Sequence, residues 1–245
     1  MKAGVFPGLE GKIHHFQQVG STMDVARELA RKGAAEGTVI VAERQTQGRG
    51  RLNRQWQSPS GGIYLTIILR PRIIPIYAPR LSLMASVAVA NTIRELLGLD
   101  ARLKWPNDVL IGGKKVCGIL AEMDAETDTV NFVIVGLGIN ANSTIAQFES
   151  ATSLKDELGK RISRKEFLAS LLAEISRQYA SLTDPELLER WRSLSATLNR
   201  WVKVTAPGEV IEGQAVDIDD TGALLVRDGD GVVQTVLAGD CVHLR

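Results

Sequence analysis

Between Ala42 and Tyr64 the chain reads AERQTQGRGRLNRQWQSPSGGIY. This stretch limits the possible folds more than any other. It carries Arg44, Arg49, Arg51 and Arg54, glutamines that include Gln45, Gln47 and Gln55, Trp56 and several glycines. Apolar runs flank it, Thr38–Ala42 before and Ile63–Leu69 after. Those runs read as buried strands, so the scaffold must be a sheet that tolerates a long polar excursion. Guanidinium groups and glycine-lined backbone make a poor core, but they close well around an anion. A solvated surface loop is the alternative. Two features oppose it. Loops beyond about 12–15 residues without structure of their own are usually functional or disordered, and Trp56 is costly to leave in water.

The remaining composition narrows the class. A chain of 245 residues holds one large domain, or one domain and a small one. The net charge of +1 provides no global field for a polyanion, so general nucleic-acid binding is disfavoured. Cys117 and Cys241 form no CxxC pair or zinc spacing, and they read as small buried thiols. With no disulfide framework and no signal peptide, a reducing cytoplasm is expected. No apolar run reaches the ~20 residues of a membrane span, so no membrane partner is expected.

Taken in order, residues 1–12 read as a short arm, and Ile13–Val19 as a strand whose His14 and His15 are structural. Ser21 is a natural N-cap, with Asp24 as a capping-box partner, for a helix that Gly33 ends. Pro71, Pro75 and Pro79 break the chain before a long helix over Leu81–Leu97, stopped by Gly98. Arg102–Trp105, Val109–Ile111 and Lys114–Met123 read as strands, the last two joined at Gly112-Gly113. Lys114 and Lys115 are adjacent on a strand, so one of them must turn into the sheet face. A second hairpin through Ala125–Asp128 leads to Val130–Val135 and then to Gly136-Leu137-Gly138-Ile139-Asn140. After the loop Ala141–Ser150, helices are expected over Ser153–Leu158, over Ser163–Leu182 and from Pro185. From Trp201 five short strands separated by turn residues imply a small β-barrel. The expectation is an α+β chain with a catalytic unit over 1–199 and a barrel over 200–245. No internal repeat is found.

Four polar islands interrupt the apolar runs: Gly20–Thr22, the arginine loop, Lys104–Asp108 with Lys115, and Gly136–Asn140. Their hydroxyls, fixed cations and the Asp108 carboxylate suit transfer onto or from a phosphate. That chemistry needs positioning and charge neutralisation more than a nucleophilic side chain. A Walker-type loop, GxSxG and a Cys/His pair are all missing, which disfavours P-loop NTPases and hydrolases.

These islands and their neighbours (GST, AERQTQGRGRLNRQWQSPSGGIYLTI, KWPNDVLIGGKKVCGIL, VGLGIN and ATSL) resemble the bacterial biotin–protein ligases in order and spacing, over essentially the whole chain. The resemblance implies a mixed sheet flanked by helices, akin to class II aminoacyl-tRNA synthetases, with an SH3-like C-terminal barrel. It implies that biotin and ATP are substrates, that Mg²⁺ assists, and that biotinyl-5′-AMP acylates a lysine of a carboxylase's biotin carrier domain. It carries residue roles with it. Ser21, Thr22 and Gln45 would surround biotin, and Arg49, Gly50 and Arg51 would contact biotin and the adenylate phosphate. Arg54, Trp56, Asp108 and Asn140 would lie on the nucleotide side, and Lys115 would bridge carboxylate and phosphate, with Arg51 as its catalytic companion. No resident cluster of metal ligands is expected. Met23 stands where the family usually has Asn. The dozen residues before the first strand leave no room for a DNA-reading helix-turn-helix, so no repressor activity is expected. By family analogy a homodimer is possible. A lipoate–protein ligase shares the chemistry and is the closest alternative. A nucleic-acid binder built on the loop and the barrel is the alternative from another class.

Overall fold

A computed structural model describes residues 11–143, 149–206 and 208–244. Residues 1–10 of the expected N-terminal arm and half of the Ala141–Ser150 loop, 144–148, fall outside those residues. The central sheet has seven strands: β1 (Ile13–Phe16), β2 (Val39–Ala42), β3 (Ile63–Leu69), β4 (Ala101–Lys104), β5 (Asp108–Ile111), β6 (Lys114–Ala125) and β7 (Val130–Ile139). Their order across the sheet is β1-β2-β3-β7-β6-β5-β4. Only the β1–β2 pair is parallel; the others are antiparallel. The sheet is mixed, as expected.

Strict alternation along the strands divides the sheet into two unlike faces. Val39 and Val41, Leu65 and Ile67, Val133 and Val135, and Ile119 join one large core. Three helices cover that face: α2 (Pro79–Leu97), α4 (Arg164–Ala180) and α5 (Pro185–Leu194). On the opposite face, Ile40, Ile68, Phe132 and Ile134 pack under a single helix, α1 (Thr22–Arg31), through Met23, Ala26 and Ala30. A ten-residue helix is about 15 Å long. It covers one end of its face and leaves the rest open.

Local signals account for most of the element ends. Ser21 caps α1, accepting the Met23 N–H. Asp24 forms no capping box; its carboxylate pairs with Arg27 and Arg49. Helix α2 begins at Pro79 rather than Leu81, because proline at the first helical position lacks only an N–H that would be unpaired there anyway. Pro75 opens a short 3₁₀ turn, Pro75–Tyr77. Gly98, at φ 67°, ends α2 in the left-handed conformation that glycine tolerates. The short helix α3 (Leu154–Leu158) has Ser153 as its N-cap, accepting the Asp156 N–H.

The C-terminal sheet has β8 (Trp201–Ala206), β9 (Glu209–Ile218), β10 (Leu224–Arg227), β11 (Val233–Val236) and β12 (Asp240–His243), in the order β11-β10-β9-β8-β12. All five expected strands form. They form one antiparallel sheet, consistent with the expected SH3-like barrel, in which no β11–β12 pairing occurs among the described residues. Its apolar side continues the large core through Val202, Val204, Leu224 and Val226. Trp105 fastens the two sheets. Its indole N–H donates to the Gly222 carbonyl at 3.1 Å and its backbone N–H to Thr197 Oγ1 at 3.0 Å. Arg192 adds bonds to Asp217 and to the Ile218 carbonyl. No helix among the described residues is long and apolar enough to cross a membrane.

His243 lies in this seam, with Nε2 3.0 Å from Thr197 Oγ1. Burial, then the nearby Lys104 and Arg200 charges, pull its pKa from 6.5 to about 4. The unfolded chain therefore binds a proton between these values that the folded chain refuses. Stability from this site is fully present above about pH 6.5 and falls as pH drops toward about 4. Urea titrations at several pH values should show this decline in the wild type and a flatter profile in His243→Gln.

Candidate functional site

The open part of the α1 face is floored by glycine. Gly118, Gly138 and Tyr64 face one another across β6, β7 and β3, as do Leu120, Gly136 and Thr66 one step along. A Cβ at Gly138 would sit 2.3 Å from the Trp56 indole nitrogen, and one at Gly136 would sit 2.4 Å from Met23 Sδ. At Gly118 a Cβ would meet Trp56 at 3.0 Å and Lys115 Nζ at 3.2 Å. The missing side chains let an indole, a thioether and an ammonium lie directly on the backbone. Above them is a cleft of about 390 Å³, roofed by the arginine loop. All the expected site residues line it: Ser21, Thr22, Gln45, Arg49, Gly50, Arg51, Arg54, Trp56, Asp108, Lys115 and Asn140.

One end of the cleft is a relay of hydrogen bonds. Thr66 donates to Thr22 Oγ1 at 2.8 Å, and the Thr22 hydroxyl and backbone N–H both reach Gln45 Oε1, at 3.0 and 2.8 Å. Gln45 Nε2 donates to Ser58 Oγ at 2.9 Å, and Ser58 donates to the Trp56 carbonyl at 3.2 Å. Gln45 thus caps helix α1 from outside it and ties the helix to the arginine loop. Met23 is buried beside this relay, so its sulfur supplies an apolar wall there.

Lys115 stands at the middle of the cleft. The register of β5 on β6 shifts between Val109 and Leu110, so that Leu110 pairs with Lys115 while Val109 pairs with Cys117. The extra residue, Val116, is a bulge that re-aims its neighbours. It leaves Lys114 exposed and turns Lys115 over Gly118. Lys115 Nζ lies 2.5 Å from Asp108 Oδ1 and 5.4 Å from the centre of the Trp56 ring. The ammonium is thus held by a carboxylate and a π face, both partners a stronger anion can displace.

At the far end, the half-buried Arg51 donates to Asn107 Oδ1 at 3.2 Å. Burial pulls its guanidinium below its ordinary pKa, and Asp108 and Asp240 oppose the shift. It remains a fixed cation.

Three of the expected residues also engage the scaffold. Arg54 lines the cleft, but its guanidinium forms a two-pronged pair with Asp240 of β12, at 2.7 and 3.2 Å. Arg49 points its guanidinium away from the floor, toward Asp24 and Glu122. Asn140 is buried, and its side-chain N–H donates to the Thr152 carbonyl, so its amide shapes the wall. The glycines of Gly136–Ile139 lie within β7 rather than beyond its end. The loop itself has structure: Arg51–Asn53 is a 3₁₀ turn with Leu52 and Asn53 at positive φ, and Arg49 bridges Gln55.

Sequence reasoning missed Asp240, Asn107, Glu122 and the floor glycine Gly118. Asn107 and Gly118 lay inside stretches already singled out. Asp240 and Glu122 carried no local signal, because their partners are distant in the chain.

Gly138→Ala should lift the Trp56 indole off the floor. The expected outcome is red-shifted emission and stronger quenching by acrylamide, assigned to Trp56 by difference from Trp56→Phe. Unchanged spectra would show that the indole does not rest on Gly138.

Two family models match the chain. The biotin/lipoate A/B protein ligase family covers residues 15–140, and the biotin protein ligase C terminal domain covers residues 197–244. The bifunctional ligase/repressor BirA of Bacillus subtilis is 39% identical over 231 residues, spanning 90% of this chain and 70% of the relative. The biotin--[acetyl-CoA-carboxylase] ligase of Mycobacterium tuberculosis is 36% identical over 238 residues, spanning 93% and 87%. The biotin protein ligase from Aquifex aeolicus in complex with biotin and ATP superposes with a TM-score of 0.82 at 31% identity, over 95% of this chain and 98% of that one. Fold, motif order and both halves of the chain agree: it belongs to the biotin/lipoate A/B protein ligase family, as a biotin protein ligase.

Proposed function

We propose that this chain joins biotin to ATP as biotinyl-5′-AMP and passes the biotinyl group to a lysine on the biotin carrier domain of a carboxylase. The observation that carries the reading is Lys115, turned by the β6 bulge into the cleft beside Asp108 and within the reach of a ligand that also meets Arg51. Biotin's head would lie at the Thr22–Gln45 relay, with its carboxylate directed toward Lys115. In the first step a carboxylate oxygen attacks the α-phosphorus, an acyl–phosphate bond forms, and pyrophosphate leaves with the electron pair. In the second, the carrier lysine's neutral amine attacks the acyl carbon and AMP leaves.

Neither step requires a protein nucleophile. Both require that negative charge be met as it moves. Lys115 exchanges Asp108 for the ligand carboxylate and the phosphate, and Arg51 holds the phosphate from the loop. The ammonium is a compact charge on a flexible stem and can follow the charge from one oxygen to the next. Trp56 lies on the glycine floor between these groups, so it walls the biotin tail as well as the nucleotide. Its indole N–H is buried without a partner, and a bound ligand oxygen would satisfy it.

Mg²⁺ fits this donor set in one way. In phosphate sites it takes one or two carboxylates and completes its shell with phosphate oxygens and water. Asp108 becomes available once Lys115 turns to the ligand, and Mg²⁺ bound there would neutralise the departing pyrophosphate. The described residues include no cluster of three or more His, Cys, Asp or Glu fit to hold a metal alone.

The decisive experiment incubates the protein with ATP, Mg²⁺, biotin and a carrier domain and weighs the carrier. One biotinyl group should be added, and an unchanged mass would sink the reading. Biotin-dependent ATP–pyrophosphate exchange without lipoate-dependent exchange separates it from a lipoate ligase. Lys115→Ala should fold normally, by far-UV circular dichroism, and lose adenylation by about 10²–10³-fold, the usual scale for one charge-stabilising donor.

A further inference from the structure

Beside the cleft, four charged side chains from three elements form a closed ring. Arg27 of α1 donates to Asp24, one turn earlier, at 3.1 Å. Arg27 also pairs with Glu122 of β6. Arg49, at the start of the arginine loop, lies 3.0 Å from Asp24 and 3.2 Å from Glu122. Each guanidinium therefore meets both carboxylates, and each carboxylate meets both guanidiniums. Net charge in the ring is zero. Glu122 sits on the cleft face of β6, four residues beyond Gly118, but does not line the cleft itself.

The loop has a second anchor where Arg54 grips Asp240. Arg51 lies between the two anchors. The intervening backbone turns back on itself, with the Gly50 N–H donating to the Arg54 carbonyl at 2.7 Å. A short span fixed at both ends can present the Arg51 guanidinium in a narrow range of positions. Releasing either end widens that range.

We propose that Asp24 and Glu122 are positioning residues that act through Arg49, holding the arginine loop over the reactive adenylate so that it stays bound until an acceptor arrives. The proposal rests on the adenylate-forming reading above. The reason is geometric. Arg49 is adjacent to the cleft, yet the ring occupies its guanidinium, so its contribution is to fix the loop that carries Arg51. Because Asp24 and Arg27 belong to the helix whose N-terminus holds Thr22, the ring clamps roof and head-group wall to one element. Charge-assisted bonds of this kind, partly exposed, support a change of several-fold to about tenfold when one carboxylate is neutralised.

The test compares wild type, Glu122→Gln, Asp24→Asn, Arg49→Gln and the double variant Glu122→Gln/Arg49→Gln. Two quantities are measured: the rate of biotin-dependent pyrophosphate exchange, and the rate at which pre-formed biotinyl-adenylate escapes, read as labelling of a bystander protein with no acceptor domain. The proposal expects exchange within about twofold of wild type in Glu122→Gln and Asp24→Asn, and escape faster by about tenfold. Neutralising Glu122 in the Arg49→Gln background should add nothing further, as for two residues in one chain of action. Unchanged escape in both folded single variants would overturn it, as would a double variant whose effects simply add. Should Glu122→Gln fail to fold, Asp24→Asn, on the exposed side of α1, answers the same question. Absence of any exchange by the wild type would instead remove the adenylate-forming reading.

Discussion

The cleft exists because a strip of the central sheet has no side chains. Each strand glycine forgoes packing and costs conformational entropy, about 0.5–1 kcal/mol relative to alanine. Here that cost brings an indole, a thioether and an ammonium down onto the backbone of β6 and β7. α1 is short and covers only the far end of the same face, where Ile40, Ile68, Phe132 and Ile134 supply an ordinary apolar surface. The boundary between the isoleucines and the glycines is the boundary between core and site. The other face is filled without interruption by α2, α4 and α5, so the sheet can give up burial on one side and remain anchored on the other.

Electrostatics then organises the empty cleft. Its fixed cations are all engaged: Lys115 with Asp108, Arg54 with Asp240, Arg49 in its ring and Arg51 with Asn107. An unpaired cation would be expensive at the half-buried positions of Lys115 and Arg51, though not at the exposed Arg54. A ligand carrying a carboxylate and phosphates therefore binds by exchanging partners. Lys115 is the cation most easily exchanged, because one of its two partners is only the face of Trp56. The pairs that do not need to exchange, at Arg49 and Arg54, are those that fasten the loop.

Much of this was legible from the chain, and the gaps have physical causes. Apolar spacing and cap residues located every strand of both sheets and all five helices to within a few residues. Helix α2 was placed two residues late because the prolines before it read as breakers, when Pro79 in fact begins the helix. That one of Lys114 and Lys115 had to turn inward followed from strand alternation; which one depended on a bulge with no local signature. The five short strands of the C-terminal unit were legible from their regular spacing, but spacing says nothing about their order across the sheet, in which the last strand joins the first. Asp240 and Glu122 were invisible for a common reason. Each meets an arginine of the loop only through the tertiary fold, at sequence separations of 186 and 73 positions. The resemblance placed the expected residues around one cleft, but it did not foresee which guanidiniums face the floor and which face the scaffold.

The Arg54–Asp240 pair also bears on how the molecule is made. A chain leaves the ribosome from its N-terminus, at roughly 5–20 residues per second. The seven strands and α1 can assemble before β12 exists. During that interval the arginine loop lacks its far anchor, since the partner is 186 positions away. The nascent chain thus passes through a stage in which the floor and head-group wall are in place and the roof is tethered at one end only. The second anchor of the loop is therefore a late acquisition in synthesis, reached when the C-terminal sheet docks through Trp105 and brings Asp240 to Arg54.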